Sequence, residues 1–319
     1  MALVWQVVVV ALFVAAVLFC WCCPSSSPKG KVGGRPVVAL QPSPTSGSQK
    51  PNQPLEETDE PWLAAVGAFL VKMGCVLSFE LGAGSYGQVR LVTRQSSQKP
   101  LAIKVVDVTA AEIGTWRCFL MQFADGGDLR RLLIERGPLP KNHCVDWLLQ
   151  MTSGLRFLHG RRIGHRDVKC ENILLERTGD GMQLKLADFG FCRKFILEQS
   201  FDDEWVGTRP YKAPEILDCQ PYHPLETDVF SLGVTFVACL TGGFLPFGNG
   251  VGVTDADMFQ RQRSSPFSGF PDGCEVPEHL TLLVTSMLAF SKGGRPNVWA
   301  VSRSLDALRR RTQEESTAN

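Results

Sequence analysis

The chemistry of this chain is densest at His165-Arg166-Asp167-Val168-Lys169-Cys170-Glu171-Asn172, which sets carboxylates, cations and an amide close together ahead of the apolar run Ile173-Leu174-Leu175. Further on, Asp188-Phe189-Gly190 closes a second apolar, strand-like run, Leu184-Lys185-Leu186-Ala187. These residue types suit phosphate and a divalent metal. The Asp167 carboxylate can take a proton from an attacking hydroxyl, and Lys169 can neutralise charge building on a transferred phosphoryl group. Asn172 and Asp188 offer hard oxygen ligands to Mg2+. The bland alternative is a charged surface turn beside a strand, which two linked motifs in this order disfavour.

The pair HRDVKCEN and DFG resembles the catalytic and metal loops of the eukaryotic protein kinases, H-R-D-x-K-x-x-N and D-F-G. The resemblance implies an α+β, bilobal kinase fold over residues 77–308, with a small β-rich N-lobe and a larger helical C-lobe. It implies Asp167 and Lys169 as catalytic residues, Asn172 and Asp188 as metal ligands, and ATP with Mg2+ as cofactors. Its implied partners are proteins carrying Ser or Thr acceptors.

The elements that position these groups start with Phe79 to Val92, FELGAGSYGQVRLV, which alternates into a strand, a glycine turn and a strand. Glycines let a backbone approach phosphates and point N–H groups at them. A lone G-x-G-x-x-G could equally serve a dinucleotide site, but that needs a following helix. Here Val89 and a second strand-like run follow instead. By resemblance Gly82, Gly84, Ser85 and Gly87 cover the ATP phosphates, and Leu81 and Val89 pack on the adenine. The buried-strand pattern Leu101-Ala102-Ile103-Lys104-Val105-Val106 resembles the family's V-A-I-K strand. Ala102 then lines the nucleotide and Lys104 holds its α- and β-phosphates.

Cys118 to Leu129, CFLMQFADGGDL, resembles the fifth strand and hinge of the family. Met121 falls at the gatekeeper position, and backbone groups of Gln122 and Ala124 meet adenine. Only residues 105–121 separate Lys104 from Gln122, an interval that in the family holds a regulatory helix and another strand. The helix is therefore expected to be abbreviated or missing. Glu112 is the one candidate in the gap for the Glu that normally pairs with the strand Lys, but Gly114 interrupts any helix there. Phe189 would lose the helix it normally packs against. A catalytically impaired ATP-binding pseudokinase or scaffold is the rival expectation.

Residues 142–159, NHCVDWLLQMTSGLRFLH, carry apolar residues at helical spacing and predict a core helix leading to the catalytic loop. Val206 to Glu215, VGTRPYKAPE, resembles the family's G-T-x-x-Y-x-A-P-E, and the pair Lys169 and Thr208 implies Ser/Thr specificity. Asp228 would brace the catalytic-loop backbone and Arg295 would pair with Glu215. Counting back from Gly207, the usual phosphorylated Thr falls on Glu204. An acidic cluster there could offer Arg166 a standing negative charge; a solvated acidic loop is the alternative. HRDVKCEN, DFGFCR and YKAPEIL are most similar to the testis-specific serine/threonine kinases of the calcium/calmodulin-kinase-like group.

Apolar residues make up 44 % of the 319-residue chain, so a globular core is expected, and the net charge of +1 signals no nucleic-acid partner. Eleven scattered cysteines, an odd number without repeated zinc spacing, argue against a disulfide framework. Residues 1–23, MALVWQVVVVALFVAAVLFCWCC, are apolar apart from Gln6. About 20 such residues at ~1.5 Å rise span a ~30 Å hydrocarbon layer, which predicts a transmembrane anchor, with a cleaved signal or a buried soluble helix as the alternatives. Lys29, Lys31 and Arg35 follow it and no charge precedes it, so the kinase-like part should face the cytosol in a single-pass arrangement. Cys20, Cys22 and Cys23 at its edge are candidate S-palmitoylation sites. Residues 24–61, rich in Pro, Ser and Gly, are expected to form a disordered tether, and residues 309–319 a flexible tail.

Overall fold

The computed structural model describes residues 61–84, 87–98, 100–107, 116–179, 181–195 and 201–318. The expected anchor, the palmitoylation candidates, the tether up to residue 60, Ser85 and Glu112 lie outside them. The chain divides into two compact units, the first ending at Phe123 and the second beginning at Ala124.

The first unit opens with a helix that the sequence reading did not anticipate, α1 (Pro61–Lys72). Pro61 is preset for the first helical position, and Gly74, at φ +66°, turns the chain directly into β1 (Cys75–Gly84). The antiparallel sheet continues through β2 (Gly87–Arg94), β3 (Pro100–Asp107) and β4 (Trp116–Gln122), in the order β1-β2-β3-β4. Alternation across paired strands puts Val92, Ile103, Val105 and Cys118 on one face. Val66 and Leu70 of α1 pack on that face and complete its core. The expected shortfall in the N-lobe takes a definite form. β3 pairs directly with β4 from Asp107↔Trp116 to Leu101↔Gln122, and residues 108–115 alone join the two strands.

The second unit runs α2 (Leu129–Arg136), α3 (Lys141–His159), β5 (Ile163–Gly164), the hairpin β6 (Ile173–Thr178) and β7 (Gly181–Leu186), and β8 (Arg193–Lys194). It continues through α4 (Pro214–Leu217), α5 (Pro224–Thr241), α6 (Asp255–Ser264), α7 (Glu278–Met287) and α8 (Val298–Ala318). The predicted helix at 142–159 is α3, and its Leu148, Met151 and Leu155 join Phe230, Phe236 and Leu232 of α5 in the core. Among the described residues α5 is long and apolar enough to cross a membrane, but 78 % of that window is buried in the fold, as befits a central core helix. The last helix runs on into the stretch read as the tail. α8 continues to Ala318, with Arg309 bonded to Asp306 and Arg311 to His279.

Candidate active site

The catalytic-loop octapeptide is folded by one buried carboxylate from α5. Asp228 accepts the backbone N–H of His165 and of Arg166, each at 2.8 Å, and meets His159 Nε2 at 3.0 Å. These bonds hold Arg166 in the left-handed region, at φ +66°. A carboxylate that satisfies two otherwise orphaned amides supports this backbone directly. His165 is fully buried, donates from Nε2 to the Ala187 carbonyl at 3.0 Å and accepts the Asp167 N–H on Nδ1 at 3.3 Å. Burial lowers its pKa, outweighing the pull of Asp228, and so favours the neutral ring that both bonds require.

Asp167 is itself buried, yet both of its oxygens are engaged. Oδ2 meets Lys169 Nζ at 2.8 Å and Asn172 Nδ2 at 3.1 Å. Oδ1 accepts the Thr208 amide at 2.9 Å and the Thr208 hydroxyl at 2.7 Å, and Lys169 donates to that hydroxyl at 2.6 Å. A carboxylate, an ammonium group and an aliphatic hydroxyl thus lie in mutual contact. Gly207 lets the segment come this close: it sits at φ +107°, and a Cβ there would lie 2.8 Å from the Arg166 carbonyl.

Asn172 and Asp188 are brought near each other by the hairpin. Asn172 immediately precedes β6 and Ala187 immediately follows β7, whose ends pair at Ile173↔Leu186. The Ala187 amide then donates to the Asn172 carbonyl at 2.8 Å. Asn172 spends its amide nitrogen on Asp167, leaving its side-chain oxygen as the atom with metal-ligand character. Asp188 sits at φ +57° and accepts Gly190 N–H at 3.3 Å. One carboxylate and one amide oxygen suit a magnesium ion, which keeps water and substrate phosphate in its remaining positions. Phe189 is half exposed and stands edge-on to His165, with ring centroids 5.5 Å apart.

In the first unit, register puts Val89 opposite Lys104 and Leu91 opposite Ala102. Val89, Ala102 and Lys104 therefore share the sheet face that α1 leaves uncovered. Gly82 pairs with Val89 and Gly84 with Gly87, while Leu81 is 38 % exposed beside a register shift. Gly87 is obligatory for the sheet as well as the turn, since a Cβ there would fall 1.9 Å from the Val105 carbonyl. Gln122 ends β4, and Ala124 begins the second unit.

Comparison with known families matches residues 109–304 to the protein kinase domain. Over 251 residues the chain is 30 % identical to human testis-specific serine/threonine-protein kinase 3, covering 67 % of this chain and 86 % of that protein. The mouse protein of the same name is 30 % identical over 269 residues, covering 73 % of this chain and 96 % of that protein. The chain belongs to the protein kinase family. Its relatives place it on the serine/threonine side, which also includes the ovarian-specific serine/threonine-protein kinase Lok of Drosophila melanogaster, 33 % identical over 187 residues, 58 % of this chain and 38 % of that protein. The family match starts after β3, so the glycine turn and Lys104 of this kinase lie outside it.

Two groups of this kinase were missed in the sequence. The first is Arg193, which joins Arg166 and the acidic residues Asp202 and Glu204 already read there in one cluster: Arg166 Nη1 meets Asp202 at 2.5 Å and Glu204 at 2.9 Å, and Arg193 meets Asp202 at 2.9 Å. The acidic run was visible, but which of its members would be buried was not. The second is Asp255, which takes Arg209 Nε at 2.5 Å and Lys212 Nζ at 3.2 Å. The spacing Thr254-x-x-Asp257 is a helix-start signal that could have placed Asp255 on a first turn, though not against its partners.

Proposed function

We propose that this kinase transfers the γ-phosphoryl group of Mg-ATP to Ser or Thr hydroxyls of protein substrates. The observation that carries the reading is the contact of Asp167, Lys169 and the Thr208 hydroxyl, in which a hydroxyl already donates to the proposed base at 2.7 Å. An acceptor hydroxyl bound there attacks the γ-phosphorus, the bond to the β–γ bridging oxygen breaks, and ADP leaves. Asp167 orients the attacking hydroxyl and receives its proton. Lys169 neutralises charge on the group in transit. Asn172 and Asp188 would hold the metal, which neutralises phosphate charge when bound. Lys104 of the first unit would bind phosphates, Gly82, Gly84, Ser85 and Gly87 would cover them, and Leu81, Val89, Ala102 and Gln122, with Ala124 of the second unit, would receive the base. Transfer of labelled phosphate by the full chain, lost on Asp167→Asn, is the expected result. Equal transfer by both proteins would overturn the reading.

A second reading is an ATP-binding scaffold without turnover. It is favoured by the direct β3–β4 pairing, which leaves only residues 108–115 for the regulatory helix that supplies the Lys104 partner in the family. Binding of a fluorescent ATP analogue by a chain that transfers no phosphate would support it. Loss of transfer on Glu112→Ala would instead favour a working enzyme with an abbreviated helix.

The apolar residues 1–23 and the cations after them support a single-pass anchor with the kinase domain in the cytoplasm. Retention in the membrane pellet after alkaline carbonate is expected, with the carboxyl-terminal part open to protease from the cytosolic side. Release by carbonate would reject the anchor.

A further inference from the structure

Thr208 donates two hydrogen bonds to Asp167 Oδ1, from its amide and from its hydroxyl, so whatever fixes Thr208 helps to fix the proposed base. Arg209 follows Thr208 directly, and its guanidinium turns away from the catalytic loop. Nε donates to Asp255 Oδ1, and Nη1 donates to the Val253 carbonyl at 2.7 Å and the Gly250 carbonyl at 3.4 Å. On the far side of the turn, Lys212 Nζ donates to Asp255 Oδ2 and, at 3.1 Å, to the Trp205 carbonyl. One carboxylate thus holds cations on both flanks of the stretch that carries Thr208, and through Lys212 it also reaches the residue three positions before it.

Asp255 is anchored in its turn. It occupies the first turn of α6, whose start is locked by reciprocal bonds between Thr254 and Asp257. Two helical turns later the buried Gln262 donates to the Lys212 carbonyl at 2.9 Å, giving α6 a second hold on the same turn. Burial pushes the Asp255 pKa up, but hydrogen bonds from Arg209 and Lys212 outweigh it and keep the carboxylate ionised.

We propose that Asp255 is a positioning residue for phosphoryl transfer, holding Arg209 and Lys212 so that the Thr208 amide and hydroxyl stay on Asp167 and Lys169. The inference rests on the kinase reading for its kinetic consequence, but not for its geometric one. The test compares Asp255→Asn and Asp255→Glu with the wild-type full chain by steady-state kinetics and amide hydrogen exchange. Expected for Asp255→Asn is a roughly tenfold to hundredfold fall in kcat. KM for ATP should be unchanged, and protection should be lost over 205–212 while the α3 and α5 core keeps it. Asp255→Glu should recover part of both. Unchanged kcat with unchanged protection over 205–212 would overturn the proposal. So would loss of protection throughout the second unit, which would reveal a merely structural role. If the wild-type chain transfers no phosphate, the kinase reading falls, and exchange over 205–212 alone decides whether Asp255 holds the turn.

Discussion

Arg166, the residue before the proposed base, donates to Glu204 at 2.9 Å while the same nitrogen meets Asp202. The two carboxylates are not equivalent. Asp202 has no exposed side-chain surface and bridges Arg166 and Arg193, whereas the Glu204 side chain is 56 % exposed. The cluster sets two cations against two carboxylates, and a Glu204 acting in place of a phosphate makes a separable prediction. Removing one partner of a buried ion pair costs about 3–5 kcal/mol, while an exposed pair contributes at most about 1 kcal/mol. Asp202→Ala should therefore lower both unfolding free energy and kcat severely, and Glu204→Ala should reduce kcat a few-fold with little loss of stability. Phosphatase treatment should leave wild-type activity intact. If kinetics show Glu204→Ala equal to wild type, Glu204 does not act as a standing charge.

Glu215 and Arg295 form a two-pronged ion pair at 2.6 and 2.8 Å, and the guanidinium also lies 4.9 Å from the ring centroid of Phe230. The Arg295 side chain is essentially fully buried and Glu215 nearly so. Arg295→Ala strands a buried carboxylate and should lose about 3–5 kcal/mol in urea unfolding. Lysine cannot reproduce the planar fork, so Arg295→Lys should recover only part of that loss. The double substitution Glu215→Leu, Arg295→Met should cost much less than the sum of its singles. Single substitutions costing under about 1 kcal/mol would contradict the pairing.

The second unit was largely legible in the sequence because its chemistry sits in contiguous motifs. HRDVKCEN places Asp167, Lys169 and Asn172 on one short loop, and the strand pattern on either side implies the hairpin that returns Asp188 to Asn172. Asp228 and Arg295 were found through the family pattern and make the contacts it implied. Asp255 was not legible because its partners Arg209 and Lys212 are 46 and 43 residues away in sequence, and Arg193, though beside the DFG motif, carries no sign that it will meet Asp202. The first unit was legible in its glycine turn and Lys104 strand, but not in α1. Pro61 to Lys72 is apolar on most sides, so periodicity could not show that Val66 and Leu70 face a sheet.

His165 makes native stability depend on pH. Its ring is buried, its pKa is lowered mainly by that burial, and its Nδ1 accepts the Asp167 amide. The unfolded chain therefore binds this proton more readily than the native one. The contribution is fully present above the ordinary histidine value of about 6.5 and declines as pH falls from there toward the lowered native value. Urea midpoints at about pH 7.5 and about pH 5.5 should differ more for wild type than for His165→Asn. Equal differences would show that this ring does not titrate between the two conditions.

Helix α1 covers the sheet face opposite the one shared by Lys104, Ala102 and Val89, and that choice of face makes a separable prediction. Val66 and Leu70 are 3 % and 1 % exposed, and they share a core with Val92, Ile103, Val105 and Cys118. Truncating a buried Leu to Ala typically costs about 2–5 kcal/mol. Because the first unit has its own small core, Leu70→Ala should speed amide exchange over residues 75–94, 100–107 and 116–122 and leave α3 and α5 as protected as in wild type. The alternation that buries Ile103 and Val105 is the same one that points Lys104 to the other face, so a loosened core also loosens the strand carrying Lys104. Affinity for an ATP analogue should then fall, while Leu70→Met, close in volume, should keep both protection and affinity. Faster exchange confined to residues 61–74, with the strands unchanged, would mean that the sheet holds its shape without α1.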